Sequence, residues 1–189
     1  HADDPQAVET LAEINSLTEG YSFACDVSNE NDVEAFFVKS EQALGVATIL
    51  VNNAGILKEA PLAQTAVQDF DRVIAVNLRG AFLASRAFVR GTTSGRIICI
   101  ASDLGVLGRE HMVAYCASKG AIISMTRSMA HEFAPDILVN AVAPGSVATD
   151  MIKPESMSPE ALAKDLATPL ARFGEPEEIA SMVSYLAGP

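Results

Sequence analysis

The chain has 189 residues, of which 49% are hydrophobic and 20% charged, a composition typical of a globular domain. Its 24 acidic residues against 13 basic ones give a formal net charge of −11, which argues against a nucleic-acid partner. The three cysteines form no CxxC pair, and no apolar run approaches the roughly 20 residues that span a bilayer. We therefore expect a protein of the reducing cytoplasm, with no membrane partner, no disulfide framework and no metal site.

Helical and strand-like patterns alternate along the chain. Helical spacing of apolar residues predicts helices over residues 7–17, 31–44, 67–74, 76–89, 113–133, 158–166 and 176–186, with Ser28 as the N-cap of the second. Short β-rich or continuously apolar runs predict strands over residues 21–27, 47–55, 95–102 and 137–145. Such alternation builds βαβ units, so we predict an α/β fold with a doubly wound parallel sheet and helices on both faces.

Polar, small or turn-forming residues follow all four predicted strands. These strands end at Asp26, at residues 52–55 (NNAG), at Ser102 and at residues 144–145 (PG). Any single strand has to end in turn residues, but ligands of open α/β sheets bind beyond the carboxyl ends of the strands. The four ends together predict a ligand cleft along one edge of the sheet.

Tyr115 and Lys119 are four residues apart on a predicted helix, so they share one face. An ammonium group near a phenol lowers the phenol's pKa, and a tyrosine tuned in this way can exchange a proton near neutral pH. Alone the pattern is weak, because by average usage it arises by chance in roughly one chain of this size in three. Ser102 strengthens it, because its hydroxyl can bind the same substrate oxygen.

Each of these supporting residues also has a purely structural interpretation. Ser102 can simply cap a strand, and Asn77 can cap the helix that follows residues 73–76. The NNAG segment can be a tight turn rather than a place where a flat ligand approaches the backbone. The cysteines favour packing over nucleophilic or metal-binding roles, because no histidine lies at metal-ligand spacing.

Taken together, the motifs VNNAG, AVNL, GRIICIAS, YCASK and NAVAPGSVAT resemble the single-domain short-chain dehydrogenase/reductase family, over nearly the whole chain. The 3-oxoacyl-acyl carrier protein reductases and the sugar, polyol and steroid dehydrogenases are similar to it. The resemblance implies hydride transfer between NAD or NADP and a ketone or secondary alcohol. Tyr115 would be the general acid/base, Lys119 would lower its pKa and hold the nicotinamide ribose, Ser102 would orient the carbonyl, and Asn77 would position a relay water.

The same resemblance implies a cofactor site and a substrate lid. Besides Tyr115 and Lys119, the cofactor-binding residues would be Asp26 and Val27 at the adenine, Asn53, Ala54 and Gly55 along the adenosine, and Pro144, Gly145, Val147 and Thr149 at the nicotinamide end. Residues 151–170 would form the lid within a single Rossmann-like domain spanning residues 1–189. A homodimer or homotetramer would pack through helices 76–89 and 113–133, which carry small residues on several faces.

The sequence also departs from the family pattern. The family begins with a strand and a glycine-rich turn that holds the pyrophosphate, and no such turn exists among the 12 glycines. The second strand, whose end separates NAD from NADP, and the last strand are missing as well. We therefore expect the native chain to carry roughly 30 to 50 more residues upstream. Two alternatives stay open, namely a non-catalytic member that binds a nucleotide or a partner, and a fragment that binds no cofactor.

Overall fold

The computed structural model describes residues 5–188, and three parallel strands form its sheet in the order β1–β2–β3. The strands are β1 (Ile49–Asn52), β2 (Gly95–Ile100) and β3 (Ile137–Val142). In register, Asn52 lies beside Cys99 and Cys99 beside Ala141, so the three carboxyl ends meet at one edge. The predicted α/β fold with a parallel sheet is confirmed.

Helices connect and flank these strands. They are α1 (Pro5–Leu17), α2 (Glu30–Leu44), α3 (Val67–Ile74), α4 (Gly80–Gly91), α5 (Leu104–Leu107), α6 (Val113–Phe133), α7 (Pro159–Asp165) and α8 (Pro176–Ala187). Single 3₁₀ turns cover Leu62–Gln64 and Pro154–Ser156. In the part of the chain described, no helix is both long and apolar enough to cross a membrane.

The core lies between the sheet and helices α4 and α6. Phe88 of α4 and Ile122 of α6 are buried against alternate residues of β2 and β3. Successive strand residues point to opposite faces, and Ile98, on the other face of β2, is also fully buried. Helix α8 contacts β2 and β3. The sheet is therefore flanked by helices and holds its carboxyl edge in a fixed position.

Residues 21–27, predicted as a strand, do not form one, and this part of the prediction is wrong. No described strand lies beside this segment to complete a ladder of backbone hydrogen bonds. Aromatic packing against α2 holds it instead, with the ring of Phe23 edge-on to Phe36 at 6.2 Å between centroids and stacked on Tyr21 at 6.3 Å. The described sheet consequently has three strands rather than four.

The two helices predicted over residues 67–74 and 76–89 are one continuous helical stretch. A π-helical turn over Ala75–Arg79 joins α3 to α4, so Asn77 lies inside a helix rather than at its start. The N-cap of α2 is Asn29 and not Ser28, because the Asn29 side chain accepts hydrogen bonds from the backbone N–H groups of residues 31 and 32. The other predicted helices agree with the structure to within two residues at each end.

Candidate active site

Ser102 and Tyr115 come together beyond the end of β2. Ser102 is buried, its hydroxyl donates to Asp103 Oδ1 at 3.1 Å, and it accepts from the N–H of Leu104 at 3.2 Å. The side chain of Tyr115 lies close to that of Ser102, and both residues line one cavity. Burial raises the pKa of Tyr115 above its ordinary value, the nearby hydroxyl of Ser102 opposes this rise, and the carboxylate of Asp103 adds to it. The tyrosine therefore carries its proton at neutral pH.

Lys119 lies one helical turn further along α6, beneath the ring of Tyr115. Its Nζ is 5.6 Å from the ring centroid and donates to the carbonyl of Ile100 at 2.7 Å. Lys119 is 4% exposed, and burial lowers its pKa to about 8. The expected lowering of the pKa of Tyr115 by Lys119 is not found in the protein chain, because desolvation of the phenol dominates.

Asn77 fixes the loop that follows β1. Its Oδ1 accepts from the N–H of Ile56 at 2.8 Å, and its Nδ2 donates to the carbonyl of Ile56 at 2.9 Å and to Ser118 Oγ at 3.1 Å. Because it lies within a π-helical turn, the interpretation of Asn77 as a helix cap is wrong. A Cβ added at Gly55 would lie 3.5 Å from Asn77 Oδ1 and 3.6 Å from Lys119 Nζ, so these three residues meet at one point.

A close contact of two glycines holds α5 against α6. A Cβ added at Gly105 would lie only 2.7 Å from the backbone nitrogen of Gly120 and 2.7 Å from the carbonyl carbon of Lys119. A Cβ at Gly120 would in turn lie 2.9 Å from the carbonyl oxygen of Gly105. Any larger residue would push apart the two helices that follow Ser102 and carry Tyr115.

A cavity of about 740 Å³ opens in front of the two hydroxyls. Ser102, Tyr115 and Gly145 form its inner wall, and part of the segment predicted as the lid, residues 151–165, covers its outer side. Helix α7 of this segment is fixed by a buried ion pair in which Arg109 Nη2 approaches Asp165 Oδ2 at 3.3 Å, and Asp165 Oδ1 also accepts from Ser146 Oγ at 2.9 Å. The cavity is large enough for a small organic substrate.

Comparison with known proteins decides the family. A profile described as enoyl-(acyl carrier protein) reductase matches residues 1–189. The chain is 41% identical, over 97% of its length and 83% of the relative's, to a protein of Xanthobacter autotrophicus called inactive 2-(S)-hydroxypropyl-CoM dehydrogenase 2. It is 38% identical to a human 3-oxoacyl-[acyl-carrier-protein] reductase, over 87% of the chain and 70% of the relative. A Vibrio cholerae 3-oxoacyl-[acyl-carrier-protein] reductase is 37% identical over 90% of the chain and 71% of the relative.

The chain belongs to the short-chain dehydrogenase/reductase family. The resemblance inferred from its motifs is thereby confirmed, and with it the class of oxidoreductase and the use of NAD or NADP as cofactor.

The residues near both ends of the expected cofactor site fit a dinucleotide. A second cavity of about 190 Å³ has Val27, Asn53 and Ala54 in its wall, and its lining is mostly apolar, which suits an adenine ring. Gly55 leaves open the space beside Lys119 Nζ, whose ammonium group can donate to a ribose hydroxyl. At the opposite side, Gly145 lines the substrate cavity.

The remaining predicted cofactor residues are not among those that line these two cavities. Asp26 is engaged by Ser28, whose hydroxyl donates to it at 2.6 Å, and by Arg72 at 3.6 Å. The carbonyl of Pro144 accepts from the N–H of Asp103 at 3.0 Å, which ties the end of β3 to that of β2. Val147 forms a β-bridge with Gly174, and Thr149 forms a second one with Ile152, at the start of the predicted lid. Their contact with a nicotinamide stays a prediction.

Sequence reasoning missed several residues of this site. Asp103 adjoins Ser102 and lines the substrate cavity, and its position next to the strand-end serine was the available signal. Arg109 and Asp165 are 56 residues apart, and neither lies in a motif, so their pairing had no signal in the sequence. Ser118 was also missed, although it lies between Tyr115 and Lys119 and is fully buried.

Burial of Lys119 makes the stability of the fold depend on pH. Its pKa of about 8 in the folded chain lies below its ordinary value of 10.5, so the unfolded chain binds more protons between these two pH values. The contribution of Lys119 to the free energy of unfolding therefore rises between pH 8 and 10.5, by up to about 3 kcal/mol, and is constant below pH 8.

Urea unfolding of the parent and of Lys119→Met at a series of pH values measures this contribution. As the pH rises above 8, the parent should become more stable relative to Lys119→Met, as measured by the free energy of unfolding. A difference that stays constant up to pH 10 would contradict the lowered pKa of Lys119.

Proposed function

We propose that the chain transfers a hydride between NAD(P) and a ketone or secondary alcohol, with Tyr115 as the group that gives or takes the proton. The observation that carries the proposal is the position of Ser102 and Tyr115 close together in the wall of the 740 Å³ cavity. Lys119 lies beneath the same tyrosine ring, near the position expected for a ribose.

The proposed reaction divides between the cofactor and the side chains. NAD(P)H supplies the two electrons and the hydrogen that reach the carbonyl carbon, and the oxygen then needs a proton. Ser102 turns its hydroxyl from Asp103 Oδ1 to that oxygen and donates a hydrogen bond to it, and Tyr115 transfers its phenolic proton to it. Lys119, charged below pH 8, stabilises the resulting phenolate, and Asn77 holds the loop that bears Gly55.

The raised pKa of Tyr115 indicates which direction neutral pH favours. A protonated phenol is ready to serve as an acid, whereas oxidation of an alcohol needs the phenolate. We therefore expect ketone reduction to have reached its maximal rate at pH 7. Alcohol oxidation should become faster as the pH rises toward 10.

Steady-state rates with NADH and NADPH on a panel of small ketones, and with the oxidised cofactors on the matching alcohols, test the proposal between pH 6 and 10. Cofactor oxidation that depends on the ketone supports it. A rate of alcohol oxidation that falls as the pH rises would contradict the assigned role of Tyr115.

A second candidate is a non-catalytic member that binds a nucleotide or a partner. One relative at 41% identity has a name that begins with "inactive", which favours this alternative. The presence of Asn77, Ser102, Tyr115 and Lys119 together in one site favours catalysis. Saturable binding of NADH or NADPH without turnover of any ketone or alcohol would establish the second candidate instead.

Location and assembly are further parts of the proposal. We infer a cytoplasmic homodimer or homotetramer that packs through α4 and α6. Phe82 on α4 is 47% exposed and Val113 on α6 is 39% exposed, so each helix offers apolar surface for such contact. Light scattering at micromolar concentration measures the assembly, and a monomeric mass would contradict it.

A further inference from the structure

The charge around the substrate cavity is unequal. Besides His111, the walls carry three lysine or arginine side chains and five carboxylates, which would leave a surplus of negative charge around the substrate. The basic residues are Arg109, Lys153 and Lys164, and the acidic ones are Glu59, Asp103, Glu110, Glu160 and Asp165.

All three basic groups of this wall are already paired with carboxylates. Arg109 is bound by Asp165, in the buried ion pair that fixes α7. Lys164 pairs with Glu110 across the rim, and Lys153 Nζ lies 3.5 Å from Asp150 Oδ1. A negatively charged substrate would have to compete with these carboxylates for each cation.

Three carboxylates of the same wall, Glu59, Asp103 and Glu160, form no ion pair among the described residues. Asp103 is the one beside the reacting groups, because Ser102 donates to its Oδ1. Its Oδ2 points across the cavity wall, 3.5 Å from where a Cβ at Gly145 would be. A negative charge on the substrate near the reacting oxygen would therefore face Asp103, and no lysine or arginine described in the cavity wall is free to balance it. Lys119 lies outside this wall, beneath the ring of Tyr115.

We propose that the substrate of this site carries no negative charge, that a positively charged ketone or alcohol is preferred, and that Asp103 is the residue that selects it. The inference rests on the proposed function, because it names the substrate class of the same site. The excess of acidic residues in the whole chain acts in the same direction, since a net charge of −11 slows the approach of anions.

Three methyl ketones of equal chain length test the proposal. They differ at the end far from the carbonyl, where one carries a trimethylammonium group, one an uncharged tert-butyl group of the same shape, and one a sulfonate. We expect kcat/KM to fall in that order, with at least a tenfold difference between ammonium and sulfonate at low salt. Added salt should narrow this ratio, because ions screen exposed charges over about 10 Å at 0.1 M.

The variant Asp103→Asn keeps an oxygen for Ser102 to bind but removes the negative charge. In this variant, kcat/KM for the ammonium ketone and kcat/KM for the sulfonate ketone should differ by no more than about threefold. Glu132→Gln is the matched control, because it removes one negative charge roughly 25 Å along α6 from Tyr115 and should leave the ratio unchanged.

A sulfonate ketone that reacts as well as the ammonium ketone, or a ratio that Asp103→Asn leaves unchanged, would overturn the inference while leaving the proposed function intact. Absence of turnover with all three ketones and with the neutral panel would overturn both.

Discussion

Replacing Tyr115 by phenylalanine is expected to lower turnover by at least about 100-fold while leaving the fold and the affinity for NAD(P)H largely unchanged. General acid/base catalysis contributes typically 10²- to 10⁴-fold, and this substitution removes only the hydroxyl that would supply it. The ring would still cover Lys119 and line the cavity. Steady-state rates and a cofactor titration on the purified variant measure the two effects separately.

Tyr185→Phe provides the matched control, because Tyr185 is 79% exposed on α8 and loses the same hydroxyl. Its turnover should equal that of the parent. A Tyr115→Phe protein within about tenfold of the parent rate would rule out a proton-transfer role for this residue.

Replacing Asp165 by alanine should destabilise the fold by about 3 kcal/mol or more. Removal of one partner from a buried ion pair typically costs 3–5 kcal/mol, because the other charge is left without compensation. The side chain of Asp165 is 5% exposed and that of Arg109 is 16% exposed, and Ser146 would lose its acceptor as well. Urea unfolding of the parent and the variant gives the difference.

Glu34→Ala is the control for Asp165→Ala, because it breaks the exposed pair between Arg90 and Glu34 and should cost less than about 1 kcal/mol. The double variant Arg109→Met, Asp165→Leu should recover much of the lost stability, since no buried charge remains. If Asp165→Ala costs no more than Glu34→Ala, the pair of Arg109 and Asp165 does not stabilise the fold.

The parts of the fold that local sequence determines were predictable. The apolar runs that became β1, β2 and β3 indicated strands by their pattern alone, although only β2 is largely buried on both faces and β1 leaves Ile49 and Val51 exposed. The spacing of Tyr115 and Lys119 placed both on one face of α6, and the position of Ser102 after β2 brought it to the same site.

The features that depend on tertiary contacts were not predictable. Residues 21–27 have strand-like composition, but a strand forms only where another strand can pair with it, and here they pack against α2. Asn77 lies in a π-helical turn and binds Ile56, 21 residues away, a contact that the local sequence does not indicate. The raised pKa of Tyr115 follows from its burial in the assembled fold, and the spacing to Lys119 contained no information about that burial.

The contact of Gly105 with Gly120 has a consequence for how this protein could acquire new substrates. It fastens the segment after Ser102 to the helix that bears Tyr115, so both hydroxyls belong to one rigid piece. Helix α7 is joined to that piece chiefly through side chains, by Arg109 with Asp165 and by Lys164 with Glu110. Residues 151–170, the predicted lid, can therefore be exchanged for a segment of different shape, provided that a new anchor replaces Asp165, without moving Ser102 and Tyr115.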